Sequence, residues 1–168
     1  MNKKKGLIVI IIFSFLIGLF IYFDNSLVKS TQEFENELRE LIVEWNSNPN
    51  HYADFTSESH RIFKIKENEN EKIIYGRFCI IEYTFFEDDK TLHESGSYND
   101  LLVVYLDKKN GKITNVWTPQ DGDNYVSSVL SKFPFVTWSR ALIRSERYTE
   151  AMLEECNKQI LEYQSKNK

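Results

Sequence analysis

The chain has 168 residues, 14% of them aromatic and 27% charged, with a formal net charge of −4. Aromatic content at that level supplies a core and excludes a disordered chain. The acidic balance is opposite in sign to the footprint of a nucleic-acid-binding surface, and no repeat, Pro-rich or Gly/Ser-rich tract breaks the chain into several units.

Lys3, Lys4 and Lys5 stand before an apolar run from Gly6 to Phe23, closed by Asp24. Eighteen helical residues span about 27 Å, close to the hydrocarbon thickness of a bilayer. The lysines keep the N-terminus in the cytoplasm by the positive-inside bias. A cleaved signal peptide has a shorter apolar core followed by a small-x-small site, and the stretch from Asp24 to Ser30 offers none. The expected division is a basic stub at 1–5, a transmembrane anchor at 6–23, a linker at 24–30 and an extracytoplasmic domain at 31–168. The protein is then a single-pass protein of the cell membrane with its C-terminal domain outside. Discounting the three N-terminal lysines leaves 18 basic against 25 acidic residues, a net −7 for the outer portion. That sign disfavours docking on anionic lipid headgroups and favours a cationic peptide or an envelope protein as partner.

Ser30 and Glu33 have the spacing of a capping box. Phe34, Leu38, Leu41, Ile42 and Trp45 then follow the period of one helical face, and turn-formers from Asn46 to Pro49 stop the helix. Four strands are expected at about 60–67, 72–87, 99–107 and 112–118. Asn110-Gly111 marks a tight hairpin, with Tyr105 facing Val116. One face of that hairpin collects Leu102, Val104, Leu106, Ile113 and Trp117, and the other Leu101, Val103, Tyr105 and Val116. Both faces are apolar, so the pair is covered on both sides or lines a cavity on one. Asp123 is placed to cap a short helix through Val126, Val129 and Leu130. A last helix from about Glu146 to Gln164 turns Tyr148, Met152, Cys156, Ile160 and Tyr163 to one side. The class is α+β: a helix, a four-stranded antiparallel sheet, a short helix and a long C-terminal helix.

That order resembles cystatin-like or NTF2-like cones, in which a helix packs into a curved sheet. The stretch Glu94-Ser95-Gly96-Ser97, the strand pair after it, Asp121-Gly122 with Tyr125, Phe133-Pro134 and the Glu-rich last helix resemble segments of small extracytoplasmic domains found in Firmicutes. Some of those are joined to membrane metallopeptidases of the antibiotic-sensor type, and many stand alone. The resemblance covers about residues 75–165 and rests on turn and packing positions, so it brings no catalytic residue with it.

His51, Asp54, Glu58 and His60 form the one cluster of histidine with carboxylates. Their spacing matches no zinc motif, and their place between helix and first strand reads as a solvated loop. Asp121-Gly122-Asp123 lacks the remainder of a calcium loop. Ser95-Gly96-Ser97 has no nucleophile-elbow frame and reads as a turn. No cofactor motif is present. Cys79 and Cys156 both fall on apolar faces, which leaves two states open: a disulfide permitted outside the membrane, or two buried free thiols, the state the reading favours. Tyr105, Trp117, Tyr125 and Trp138 are placed to line the mouth of a curved sheet as a binding surface. These observations point to a membrane-anchored, non-enzymatic binding domain, serving immunity to a secreted peptide or envelope sensing. A small pocket-based hydrolase or isomerase is the alternative, as is a structural subunit of a membrane complex whose anchor packs through Ser14 and Gly18.

Overall fold

A computed structural model describes residues 14, 15, 18, 28, 30–47, 53–88, 91–143 and 145–167. Helix α1 (Gln32–Asn46) is followed by β1 (Phe55–Glu67), β2 (Glu71–Phe86), β3 (Thr91–Asp107) and β4 (Ile113–Trp117). A 3-10 turn (Gly122–Asn124) leads into α2 (Tyr125–Lys132). A second 3-10 turn (Phe135–Thr137) leads into α3 (Trp138–Leu142), and α4 (Ser145–Lys166) ends the chain's ordered elements. The four strands form one antiparallel meander in the order β1-β2-β3-β4. The α+β class expected from sequence is therefore found, with helices on both faces of the sheet. Among the described residues no helix is long and apolar enough to cross a membrane. Of the apolar run, Ser14, Phe15 and Gly18 alone fall among them, and these are helical and exposed.

Strand alternation divides the core in two. On one face Ile62, Ile74, Phe78, Ile80, Leu102, Val104 and Leu106 meet Leu38 and Ile42 of α1. On the other, Phe63, Tyr75, Leu101 and Val103 meet Val129, Phe133 and Ala141 of the α2–α3 region. Further along that second face, Cys79, Ile81 and Tyr83 meet Met152, Cys156 and Ile160 of α4. Every stretch of the sheet that is apolar on both sides thus has a helix against each.

Several expectations shift in detail. The cap of α1 is Thr31, whose Oγ1 accepts from the Phe34 N–H at 3.2 Å. The hydroxyl of Ser30 instead donates to Glu35. Trp45 is 50% exposed, because α1 ends one residue later and its last turn is held by Asn46 Nδ2 donating to Glu82 Oε1 at 2.6 Å. β1 and β3 both start well before the expected boundaries, so Glu58 and His60 lie in a strand, as do Ser95, Gly96 and Ser97. The β3–β4 turn closes at Asp107 and Lys112, with Gly111 at φ +70°. A register shift between Tyr105 and Leu106 sets Val116 opposite Val104 and Trp117 opposite Val103. A one-residue slip exchanges faces, so Val116 packs toward α1 and Trp117 toward α2, the reverse of the simple hairpin. Asp123 makes no cap: α2 follows a 3-10 turn, with Asn124 at its N-cap and no side-chain cap hydrogen bond.

Candidate functional site

β1 is an edge strand, and its first half, Phe-Thr-Ser-Glu-Ser-His-Arg, is polar where an edge without a partner strand would otherwise invite pairing with another chain. Its side chains alternate between the two helical layers. Glu58, His60 and Ile62 stand opposite Ile80, Phe78 and Gly76 on the α1 side, while Ser57 and Ser59 stand opposite Ile81 and Cys79 on the α4 side. Glu58 and His60 are buried, which corrects the solvated-loop reading of both. Burial is tolerated because each charge finds a partner from another element.

Toward α1, His60 donates from Nδ1 to both Glu58 oxygens, at 3.0 and 3.1 Å, and from Nε2 to Glu35. The Arg39 Nε–H donates to the Glu58 carbonyl at 3.2 Å and lies 3.7 Å from Glu58 Oε2. Burial by itself would lower the His60 pKa, but the hydrogen bonds to Glu35 and Glu58 and their charges outweigh it and raise the value to about 9. His60 is therefore an imidazolium at neutral pH, and its hydrogen bond holds the Glu35 carboxyl below the usual carboxylate range. Toward α4, Arg61 grips Glu155 with two bonds of 2.9 and 2.7 Å, and Ser59 donates to the same carboxylate. That grip in turn lowers the Glu155 pKa.

The outer backbone edge of β1 is capped by side chains. Gln159 of α4 accepts from the Glu58 N–H through Oε1 at 3.2 Å and donates from Nε2 to the Glu58 carbonyl at 2.7 Å. One primary amide thus fills the place a neighbouring strand's peptide group would take. Arg61 donates to the His60 carbonyl at 2.8 Å, and buried Arg140 donates to that of Phe63 at 3.3 Å. Along this edge runs a cleft of about 460 Å³. Val28, Ser30, Gln32, Glu35 and Arg39 bound it on the α1 side, Arg140, Tyr148 and Glu155 on the other, with His60 to Phe63 as its floor.

Of the residues singled out in the sequence, Glu58 and His60 come together. Asp54 does not join them: its carboxylate accepts from the Phe85 N–H at 2.7 Å. His51 lies outside the described residues. Among the described residues no group of three or more His, Cys, Asp or Glu side chains is arranged to hold a metal ion. Tyr105, Trp117, Tyr125 and Trp138 all pack half-buried around the Phe133 cluster. The Trp138 indole N–H donates to the Phe133 carbonyl at 2.9 Å, and the Tyr125 hydroxyl donates to Asp100 at 2.6 Å. Lys132 lies over the Tyr105 and Trp117 rings, and none of the four lines the β1 cleft. Cys79 and Cys156 are buried free thiols, with Cys156 Sγ 3.7 Å from the Cys79 carbonyl. The hydrogen bond the two thiols share pushes Cys156 up and Cys79 down, while burial of both keeps them from solvent, an unreactive setting.

Sequence reasoning did not find Glu35, Arg39, Arg61, Glu155 or Gln159. The available signal was spacing: Glu35 with Arg39 beside the Leu38 and Ile42 stripe, and Glu155 with Gln159 beside Met152 and Cys156. Polar pairs four apart on the shoulder of an apolar stripe are placed to reach over a sheet edge. No family model, no curated protein and no solved structure matches this chain.

Proposed function

We propose that this protein is a membrane-tethered binding domain that holds a cationic peptide or envelope protein in the β1 cleft and carries out no turnover. Residues 6–23 serve as the anchor, the N-terminus is cytoplasmic and residues 31–168 face outward. The observation that carries the reading is the wiring of the cleft. Both nitrogens of His60 are engaged by carboxylates, which leaves no free lone pair to act as a general base on a nucleophile. At the rim Glu35 and Glu155 keep part of their surface exposed, and a basic side chain of the partner would share these carboxylates with His60 and Arg61. The likeness to cystatin-like or NTF2-like cones, and to the small extracytoplasmic domains, belongs to the same proposal. A helix laid across an antiparallel meander supports it.

The test uses the full chain in cells. Deleting the gene should raise sensitivity to a cationic amphipathic peptide, and wild-type protein should restore resistance. Glu35→Gln with Glu155→Gln should restore it several-fold less well at equal membrane abundance. Protease added to protoplasts should remove a C-terminal tag. Equal rescue by the double variant rejects the cleft as the binding site, and a tag that survives until lysis rejects the topology.

A further inference from the structure

The overall acidity of the outer portion conceals one stretch of opposite sign. In sequence, residues 132–147 carry Lys132, Arg140, Arg144 and Arg147 against Glu146 alone; of the described side chains Arg140 is buried, and Lys132 and Arg147 bring positive charge to the surface. The same stretch places apolar side chains in solvent: Phe135 is 62%, Val136 42% and Ile143 78% exposed. Phe135 also stacks edge-on against the half-buried Trp138 at 5.0 Å. Arg140 points inward to the Phe63 carbonyl, but Arg147 is exposed and Lys132 half-exposed. Exposed aromatic and aliphatic side chains interleaved with basic ones are the composition of a surface that lies in a lipid interface.

Position within the fold, taken with the proposed anchor, points to the surface that would cover it. Val28 packs on the α1-side core and lines the cleft together with Arg140 and Tyr148. Ile143 follows Arg140 by one helical turn, about 5 Å. Four residues, Asp24 to Leu27, separate Phe23 from Val28, and the five steps reach at most about 18 Å fully extended. If 6–23 spans the bilayer, the end of the domain that carries Val28, and with it the 135–143 stretch, is held against the membrane surface.

We infer that Phe135, Val136 and Ile143 form a membrane-docking surface seated at the headgroup boundary of a bilayer containing anionic phospholipid, with Arg147 at the phosphates and Lys132, held over the Tyr105 and Trp117 rings, adding positive charge nearby. The inference rests on the anchor reading above. It is tested on the full chain in nanodiscs of phosphatidylcholine and phosphatidylglycerol at 3:1. Because both native thiols are buried, Ile143→Cys and Lys158→Cys can each be labelled selectively with an environment-sensitive fluorophore. Lys158 is exposed and lies about 20 Å along α4 from its start.

The fluorophore at 143 should be blue-shifted and quenched by brominated lipid at least threefold more than that at 158. Phe135→Ser, or Arg147→Glu, or nanodiscs of phosphatidylcholine alone, should each cut that quenching by half or more, with circular dichroism unchanged. Equal, solvent-like signals at both positions in nanodisc-bound protein overturn the docking and leave the anchor standing. Release of the chain from membranes by alkaline carbonate overturns both. A label at 143 that is shielded yet unquenched by brominated lipid overturns the lipid assignment and points to a protein cover.

Discussion

The buried His60 clamp leads to a pH signature with a fixed sign. Its pKa rises from 6.5 to about 9. A raised pKa stabilises the fold fully below the unfolded value of 6.5, and the contribution is lost as pH climbs through 9. The difference corresponds to about 3 kcal/mol. Glu35 behaves in the opposite sense: its lowered pKa stabilises the fold above about 4.5, and that part is lost on acidification. The clamp is therefore complete between about pH 4.5 and 6.5. Urea unfolding of a fragment beginning at Val28 is the assay, with His60→Gln as the reference that cannot titrate. At pH 6 the variant should be less stable by about 3–5 kcal/mol, since it leaves Glu58 buried without its main partner. By pH 10 that gap should shrink by about 3 kcal/mol, or about 2 M in urea midpoint for a slope of about 1.5 kcal/mol/M. Ring resonances of His60 should titrate near pH 9. A gap that stays constant from pH 6 to 10, or a His60 midpoint below 6.5, would refute the reasoning by showing that desolvation wins over the two carboxylates.

A Cβ at Gly76 would come within 2.7 Å of the Arg61 carbonyl and 3.1 Å of the Phe78 ring, so Gly76→Ala should cost about 1–3 kcal/mol in the same assay despite its small volume. Leu38→Ala should cost about 2–5 kcal/mol, while Trp45→Ala, at the exposed end of the same helix, should stay below about 1 kcal/mol; the reverse order would contradict the packing of α1. Gln159→Leu removes the amide that covers both backbone groups of Glu58. It should cost about 1–3 kcal/mol and promote self-association through the uncovered β1 edge, measurable by sedimentation. In folded, unreduced protein neither Cys79 nor Cys156 should alkylate quickly, and both should do so on denaturation; a peptide linked between them would show that the pair is oxidised instead.

The legible parts of this fold were those with an apolar period. The α1 stripe at Leu38 and Ile42, the α4 stripe at Met152, Cys156 and Ile160, and the doubly apolar β3 all follow from spacing, because burial of one side chain type repeats along each element. The first half of β1 has no such period. Thr56, Ser57, Glu58, Ser59 and His60 look like loop composition, since propensity is a local quantity while their neutralising partners are Glu35, Glu155 and Gln159, about 20 to 100 residues away. The face exchange of Val116 and Trp117 was hidden for a related reason. A bulge leaves no mark in the hydrophobic pattern when both faces of the hairpin are apolar.

That hidden polarity bears on the proposed placement of the domain at a membrane. An edge strand held between two helical layers must either meet a partner strand or have its peptide groups covered, and here Gln159, Arg39, Arg61 and Arg140 cover them. Covering the edge with charged side chains leaves a cleft with both signs of charge at its rim, beside Val28. If the tether holds that end at the bilayer, the cleft opens at the depth where cationic amphipathic peptides concentrate on anionic lipid. A peptide leaving the lipid surface would then meet Glu35 and Glu155 close by, and the short linker would raise the effective concentration of the site at the membrane above that of a free domain. Binding through two exposed carboxylates is individually weak, so the placement of the cleft, more than the strength of any one contact, is what would make such capture effective.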